Sequence, residues 1–150
     1  RELIVLPTHK DDTDTLFAIK EAIRRGFNAI TLVGAIGNRF DHSYANVVNL
    51  DFCRQQSIPC QIITANSKIF IADEPFTIPK GEYKYFSLFA FGGPCSGLTI
   101  DGAVYALTDY LLTPGTSMCQ SNEVRESVCT VSFKSGKMLV VLSNDFTPAA

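Results

Sequence analysis

Apolar positions along the 150-residue chain follow two rhythms. The first opens with "ELIVL" (2–6), a continuous apolar run of the kind that forms a strand buried on both faces. In "TDTLFAIKEAIRRG" (13–26), Leu16, Ile19 and Ile23 recur at helical spacing, with Ala22 on the same side. Lys20, Glu21, Arg24 and Arg25 fall largely on the rest of that surface, and Gly26 is the expected C-terminal stop. A second strand is predicted over 29–34 ("AITLVG") and a second helix over 42–56, ended before Pro59. A third strand is predicted over 60–64 ("CQIIT"). Strands separated by helix-length segments predict parallel β-α-β units with right-handed crossovers.

Beyond Ala65 the rhythm shortens. "KIFIA", "YKYFSLFAF", "GLTIDG", "SVCTVSF" and "KMLVVLS" are β-rich runs broken by Pro- and Gly-containing segments. That punctuation predicts hairpins in an antiparallel sandwich or barrel. "SGK" (135–137) reads as a tight hairpin turn, and "AVYALTDYLL" (103–112) reads equally as an amphipathic helix or as a strand and turn. The expected fold is therefore α/β plus all-β: a partial parallel-sheet domain over 1–65 and an antiparallel β-sandwich or barrel over 66–150.

Composition narrows the function. The net charge is −2 with no basic run, which argues against a nucleic-acid surface. No apolar run approaches the length of a membrane span, and no signal segment opens the chain. The five cysteines are odd in number and contain no C-x-x-C. They predict reduced thiols in a cytoplasmic protein rather than a disulfide framework or a zinc site.

Two polar segments follow the first two predicted strands, where open parallel sheets bind their ligands. In "HKDDTD" (9–14), Asp11 and Asp14 are three apart and can share a face of the first helical turn. Mg²⁺ takes one or two such carboxylates and completes its shell with water and phosphate. Thr13 adds a hydroxyl, Lys10 a point charge, and the helix N-terminus free N–H groups for phosphate oxygens. The plainer reading has Asp12 or Thr13 capping the helix. In "GAIGNRFDH" (34–42), Gly34 and Gly37 permit close backbone approach, and Arg39 offers a planar fork for phosphate. Asp41 and His42 follow, with Asn46 one turn on. The plainer reading here is an Arg39–Asp41 surface ion pair with Asp41 as the helix N-cap. In the second half, "SMCQSNE" (117–123) is a row of polar groups, and Tyr105 and Tyr110 are candidate faces for a flat ligand.

In this order, "HKDDTDT", "LVGAIGNRFDH", "GAVYALTDYLL" and "SNE" resemble the thiamine pyrophosphokinase family over nearly the whole chain. The resemblance implies an α/β domain followed by a β-sandwich. It implies transfer of a diphosphoryl group from ATP to the hydroxyl of thiamine, with release of AMP. By position it implies catalytic roles for Asp11, Asp14, Arg39 and Asp41, with Asp11 and Asp14 as Mg²⁺ ligands. Lys10, Thr13, Arg39, His42 and Asn46 would meet the ATP phosphates or nucleotide, and Ser121 and Asn122 the thiamine. It further implies a homodimer with thiamine at the subunit junction. The family's upstream G-D-x-D-S loop has no counterpart here. Its absence predicts either an excerpt of a longer protein or an incomplete metal site. The alternative function is accordingly a thiamine- or nucleotide-binding module without turnover. A weaker alternative is an unrelated phosphohydrolase.

Overall fold

The computed structural model describes residues 12–145. The predicted strand over 2–6, and with it Lys10 and Asp11, lies outside them.

Helix α1 spans Asp14–Arg24. Thr13 is its N-cap: the Thr13 hydroxyl accepts the Leu16 N–H at 3.2 Å. Gly26, at φ +86°, ends it as expected. Ile19 is buried while Arg24 and Arg25 reach back to Glu21 on the outer face. Strand β1 (Ile30–Val33) and strand β2 (Cys60–Ile63) are parallel, Ile30 opposite Cys60 and Val33 opposite Ile63, joined through helix α2 (Phe40–Gln55). This is the predicted β-α-β unit.

The remaining strands are β3 (Ser67–Ala72), β4 (Phe76–Pro79), β5 (Tyr85–Ala90), β6 (Cys95–Asp101), β7 (Leu107–Leu112), β8 (Val128–Ser132) and β9 (Met138–Ser143). They form two sheets. One has the order β1-β2-β3-β9-β5, so the parallel pair continues directly into antiparallel strands. The other has the order β4-β8-β6-β7. The core lies between the sheets. Leu88 of β5 and Val140 of β9 meet Leu98 of β6 and Val131 of β8, all with 0% exposure. Along β9, Met138, Val140 and Leu142 face inward and alternate with half-buried residues, the period-2 pattern of a sandwich strand.

Three local expectations are resolved or corrected. Residues 107–112 are strand β7 behind a turn, not a helix. "SGK" is not a hairpin turn: β8 pairs with β4 and β6, whereas β9 pairs with β3 and β5, so the segment crosses from one sheet to the other. Gly136 allows that crossing at φ +94°, where a Cβ would meet the carbonyl of Pro94 and lie 2.8 Å from Cys95 Cα. Strand β4, four residues that follow Pro75 and end on Pro79, is masked in the sequence by these two prolines. The expected boundary at 65/66 falls in the tight β2–β3 connection, where the Thr64 N–H donates to the Ser67 carbonyl at 2.9 Å.

Candidate active site

The N-terminal ends of α1 and α2 converge on a cleft of about 580 Å³. It is lined by Asp12, Thr13, Asp14 and Thr15 from one helix start and by Asp41, His42, Ala45 and Asn46 from the other. Five of the expected residues, Thr13, Asp14, Asp41, His42 and Asn46, therefore share one polar cavity. Two helix N-termini aimed at one space make it favourable for anions, and the cleft carboxylates suit a bound cation. Asp12 is engaged by Lys20 at 2.7 Å.

Arg39 joins the site through Asp41: its Nη2 lies 2.7 Å from Asp41 Oδ2 and its Nε 3.3 Å from Oδ1. The guanidinium holds the Asp41 carboxyl below its ordinary value, with the His42 backbone adding to the effect against the opposing pull of desolvation. Both side chains are well exposed, at 69% and 65%. The ion pair of the plainer reading is thus present, but Asp41 does not cap α2. Arg39 occupies the N-cap position without a side-chain capping bond, and Asp41 sits in the first turn.

The loop between β1 and α2 is tied down by two side chains. Asn46 Nδ2 donates to the Ala35 carbonyl at 2.8 Å. The buried Ser43 hydroxyl accepts the Gly37 N–H at 3.0 Å and lies 3.2 Å from the carbonyls of Gly37 and Arg39. Sequence reading missed Ser43. The available signal was a serine four residues after the N-cap Arg39, where its hydroxyl can bond back to the i−4 carbonyl. Asn46 lines the cleft as expected, but its amide nitrogen is spent on the loop.

No group of three or more His, Cys, Asp or Glu is arranged to hold a metal among the described residues. Asp14 and Asp41 in a polar cleft nevertheless suit the modest protein share of a Mg²⁺ shell, one or two carboxylates with phosphate and water supplying the rest. A second cleft of about 370 Å³ on the open face of β1–β3 is lined by Thr31, Cys60, Gln61, Lys68 and Phe70, and contains none of the expected residues.

Ser121 and Asn122 lie elsewhere. Asn122 bridges to Phe86 of β5, beyond the opposite edge of the five-stranded sheet from β1. Ser121 is exposed at φ +56°, and its N–H donates to the Ser87 hydroxyl at 3.0 Å. Asn122 is only 3% exposed and its amide is turned onto backbone. Tyr105 next to it is 69% exposed, whereas Tyr110 is half-buried and packs against the core.

Residues 1–62 match the thiamin pyrophosphokinase catalytic domain, and residues 75–138 match its vitamin B1 binding domain. Thiamine pyrophosphokinase of Bacillus subtilis is 30% identical over 145 residues, covering 95% of this chain and 68% of that protein. The chain belongs to the thiamine pyrophosphokinase family. The crystal structure of the B. subtilis thiamine pyrophosphokinase superposes with a TM-score of 0.86 at 29% identity, over 92% of this chain and 66% of that one. A thiamin pyrophosphokinase family protein from Enterococcus faecalis gives a TM-score of 0.86 at 31% identity, over 97% of this chain and 70% of that one. The chain thus spans about two thirds of the length of these relatives. The catalytic-domain match holds the cleft and its loop. The vitamin B1 match holds Tyr105, Ser121 and Asn122. Neither sequence match covers residues 63–74, although β3 lies there and carries the sheet onward.

Proposed function

We propose that the protein transfers the diphosphoryl group of ATP to the hydroxyl of thiamine, releasing AMP. The observation that carries this reading is the convergence of Thr13, Asp14, Asp41, His42 and Asn46 on one cleft between two helix N-termini, in a chain of this family. Residues 1–65 take the nucleotide side and residues 66–150 the thiamine side. Thr13, His42 and the helix N–H groups meet phosphate oxygens, with Lys10 adding its charge and Asn46 holding the Ala35 carbonyl of the cleft loop. The thiamine hydroxyl attacks the β-phosphorus in line, its oxygen bonds to phosphorus, and the bridge to the α-phosphate breaks. Asp14 or Asp41 takes or orients the hydroxyl proton. The exposed Arg39 fork stabilises charge on the transferred group. Mg²⁺, held by Asp11 and Asp14, would neutralise phosphate charge when bound.

The sheet supports a homodimer. The cleft loop follows β1, at one end of the described sheet order, whereas Asn122 bridges β5 at the other end. A second copy supplies the missing half. Its contact surfaces are the outer stripe of α2, where Phe40 and Tyr44 stack at 5.9 Å beside Val48, and the exposed Val104, Leu111 and Met118. Free thiols and ATP as co-substrate fit a cytoplasmic protein; among the described residues no helix is long and apolar enough to cross a membrane.

Incubating the full-length protein with ATP, Mg²⁺ and thiamine tests the reading. AMP and thiamine diphosphate in equal amounts are expected. Binding of both ligands without AMP would favour a binding module, and release of inorganic phosphate a phosphohydrolase.

A further inference from the structure

The side chain of Asn122 does not present an open hydrogen-bonding edge. Oδ1 accepts the Tyr105 N–H at 3.0 Å and the Glu123 N–H at 2.9 Å, and Nδ2 donates to the Tyr105 carbonyl at 2.8 Å. Both acceptor sites of the oxygen are filled, and the group is 3% exposed. The Asn122 backbone is equally committed. It exchanges two hydrogen bonds with Phe86 of β5, at 2.8 and 2.9 Å. One residue therefore ties the 103–106 turn to the edge of the five-stranded sheet. The neighbouring Val104 N–H donates to the Glu123 carbonyl at 2.9 Å, and Ala103 bridges to Val124. These bonds fix the backbone of Tyr105 from both sides while its side chain stays 69% exposed, one residue from Ser121 along the Asn122 tie.

We infer that Asn122 is a positioning residue, whose buried amide holds the Tyr105 backbone so that the exposed Tyr105 ring forms one wall of the thiamine site. The inference rests on the reading that thiamine binds beside Ser121. A flat cationic ligand gains from a ring face held at a set angle, because no freedom of the wall is then lost on binding. An alanine at 122 would leave the Tyr105 N–H and carbonyl without their partners and release the turn. The ring would remain but lose its orientation.

A double-mutant cycle on the full-length protein tests this, reading thiamine and a non-hydrolysable ATP analogue separately by calorimetry. Asn122→Ala and Tyr105→Ala should each weaken thiamine binding about 5- to 30-fold and leave the analogue unchanged. The double variant should be no weaker than the worse single one, because both changes remove the same wall. Amide exchange at Tyr105 should be slow in the wild type and fast in Asn122→Ala, with or without ligand. Multiplying effects in the double variant would overturn the inference in favour of direct contact by Asn122. An unchanged thiamine affinity in Tyr105→Ala, or slow Tyr105 exchange in Asn122→Ala, would overturn it as well. If Asn122→Ala weakens both ligands, Asn122→Asp decides. It keeps the acceptor for both N–H groups but sets a carboxyl oxygen against the Tyr105 carbonyl in place of the donor, so it should release Tyr105 and lose thiamine affinity alone; loss of both ligands again would make Asn122 a general folding residue. A wild-type protein that binds no thiamine would instead refute the proposed function.

Discussion

Ser43→Ala separates the cleft loop from the stability of the fold. The hydroxyl accepts the Gly37 N–H at 3.0 Å, and its proton is shared between the carbonyls of Gly37 and Arg39 at 3.2 Å. Removing it costs less than three contacts suggest. The Arg39 carbonyl keeps its helical bond from the Ser43 N–H at 3.1 Å, and Gly37 is exposed, so water reaches it. The loss is one neutral hydrogen bond, about 1 kcal/mol. Alanine in place of serine within a helix returns roughly 0.5 kcal/mol. The net destabilisation is then about 0.5 kcal/mol, a fall of about 2 °C in Tm for a chain of this size. The loop itself loses the whole tie, and about 1 kcal/mol less of preorganisation corresponds to roughly a 5-fold lower kcat. Thermal melts and steady-state AMP release on the same preparation check both numbers. Unchanged kcat would refute a loop held for catalysis, and a Tm drop several times larger would show that Ser43 serves the core instead.

Arg39→Lys should lower turnover while leaving Tm nearly unchanged, because the Arg39–Asp41 pair is exposed and lysine lacks the bidentate fork; a melt beside the AMP assay shows which changes. Asp11→Asn should reduce kcat more than ~100-fold without loss of folding, since an amide is a poorer Mg²⁺ ligand; near-normal rates at saturating Mg²⁺ would remove Asp11 from the metal. Asp51 predicts an acid dependence. Burial alone would raise its pKa, but bonds from Lys137, Arg54 and Gln55 outweigh it and hold the carboxyl below 3.8. A depressed folded-state pKa stabilises fully above the unfolded value and is lost as pH falls through the folded one. Melts below about pH 4 should therefore fall more steeply in the wild type than in Asp51→Asn; parallel curves would show that another group carries the acid transition.

Local chemistry was legible without coordinates. The Thr13 cap, the Gly26 stop and the 3.6-residue rhythm of Leu16, Ile19 and Ile23 depend on neighbours within a turn or two, and so do the alternation and punctuation of the β-rich half. The gathering of two polar loops at one cleft was legible too, because parallel strands put their carboxyl ends on the same side. Pairing across long separations was not. "SGK" carries the residues of a hairpin, yet β9 finds β3 and β5 because its inward Met138, Val140 and Leu142 complete the opposite layer of the core. The same limit hid Ser43, whose role depends on where the 34–39 loop folds back. It also recast Asn122, a polar residue in a polar run whose amide is consumed only once Tyr105 arrives from 17 positions away. Sequence by itself determined which chemistry the chain carries and on which kind of element each group sits. Only the tertiary structure decided that β1, which leads into the cleft loop, and β5, which Asn122 bridges, lie at opposite ends of the described sheet order, because strand order is set by the burial of whole faces and not by any single residue.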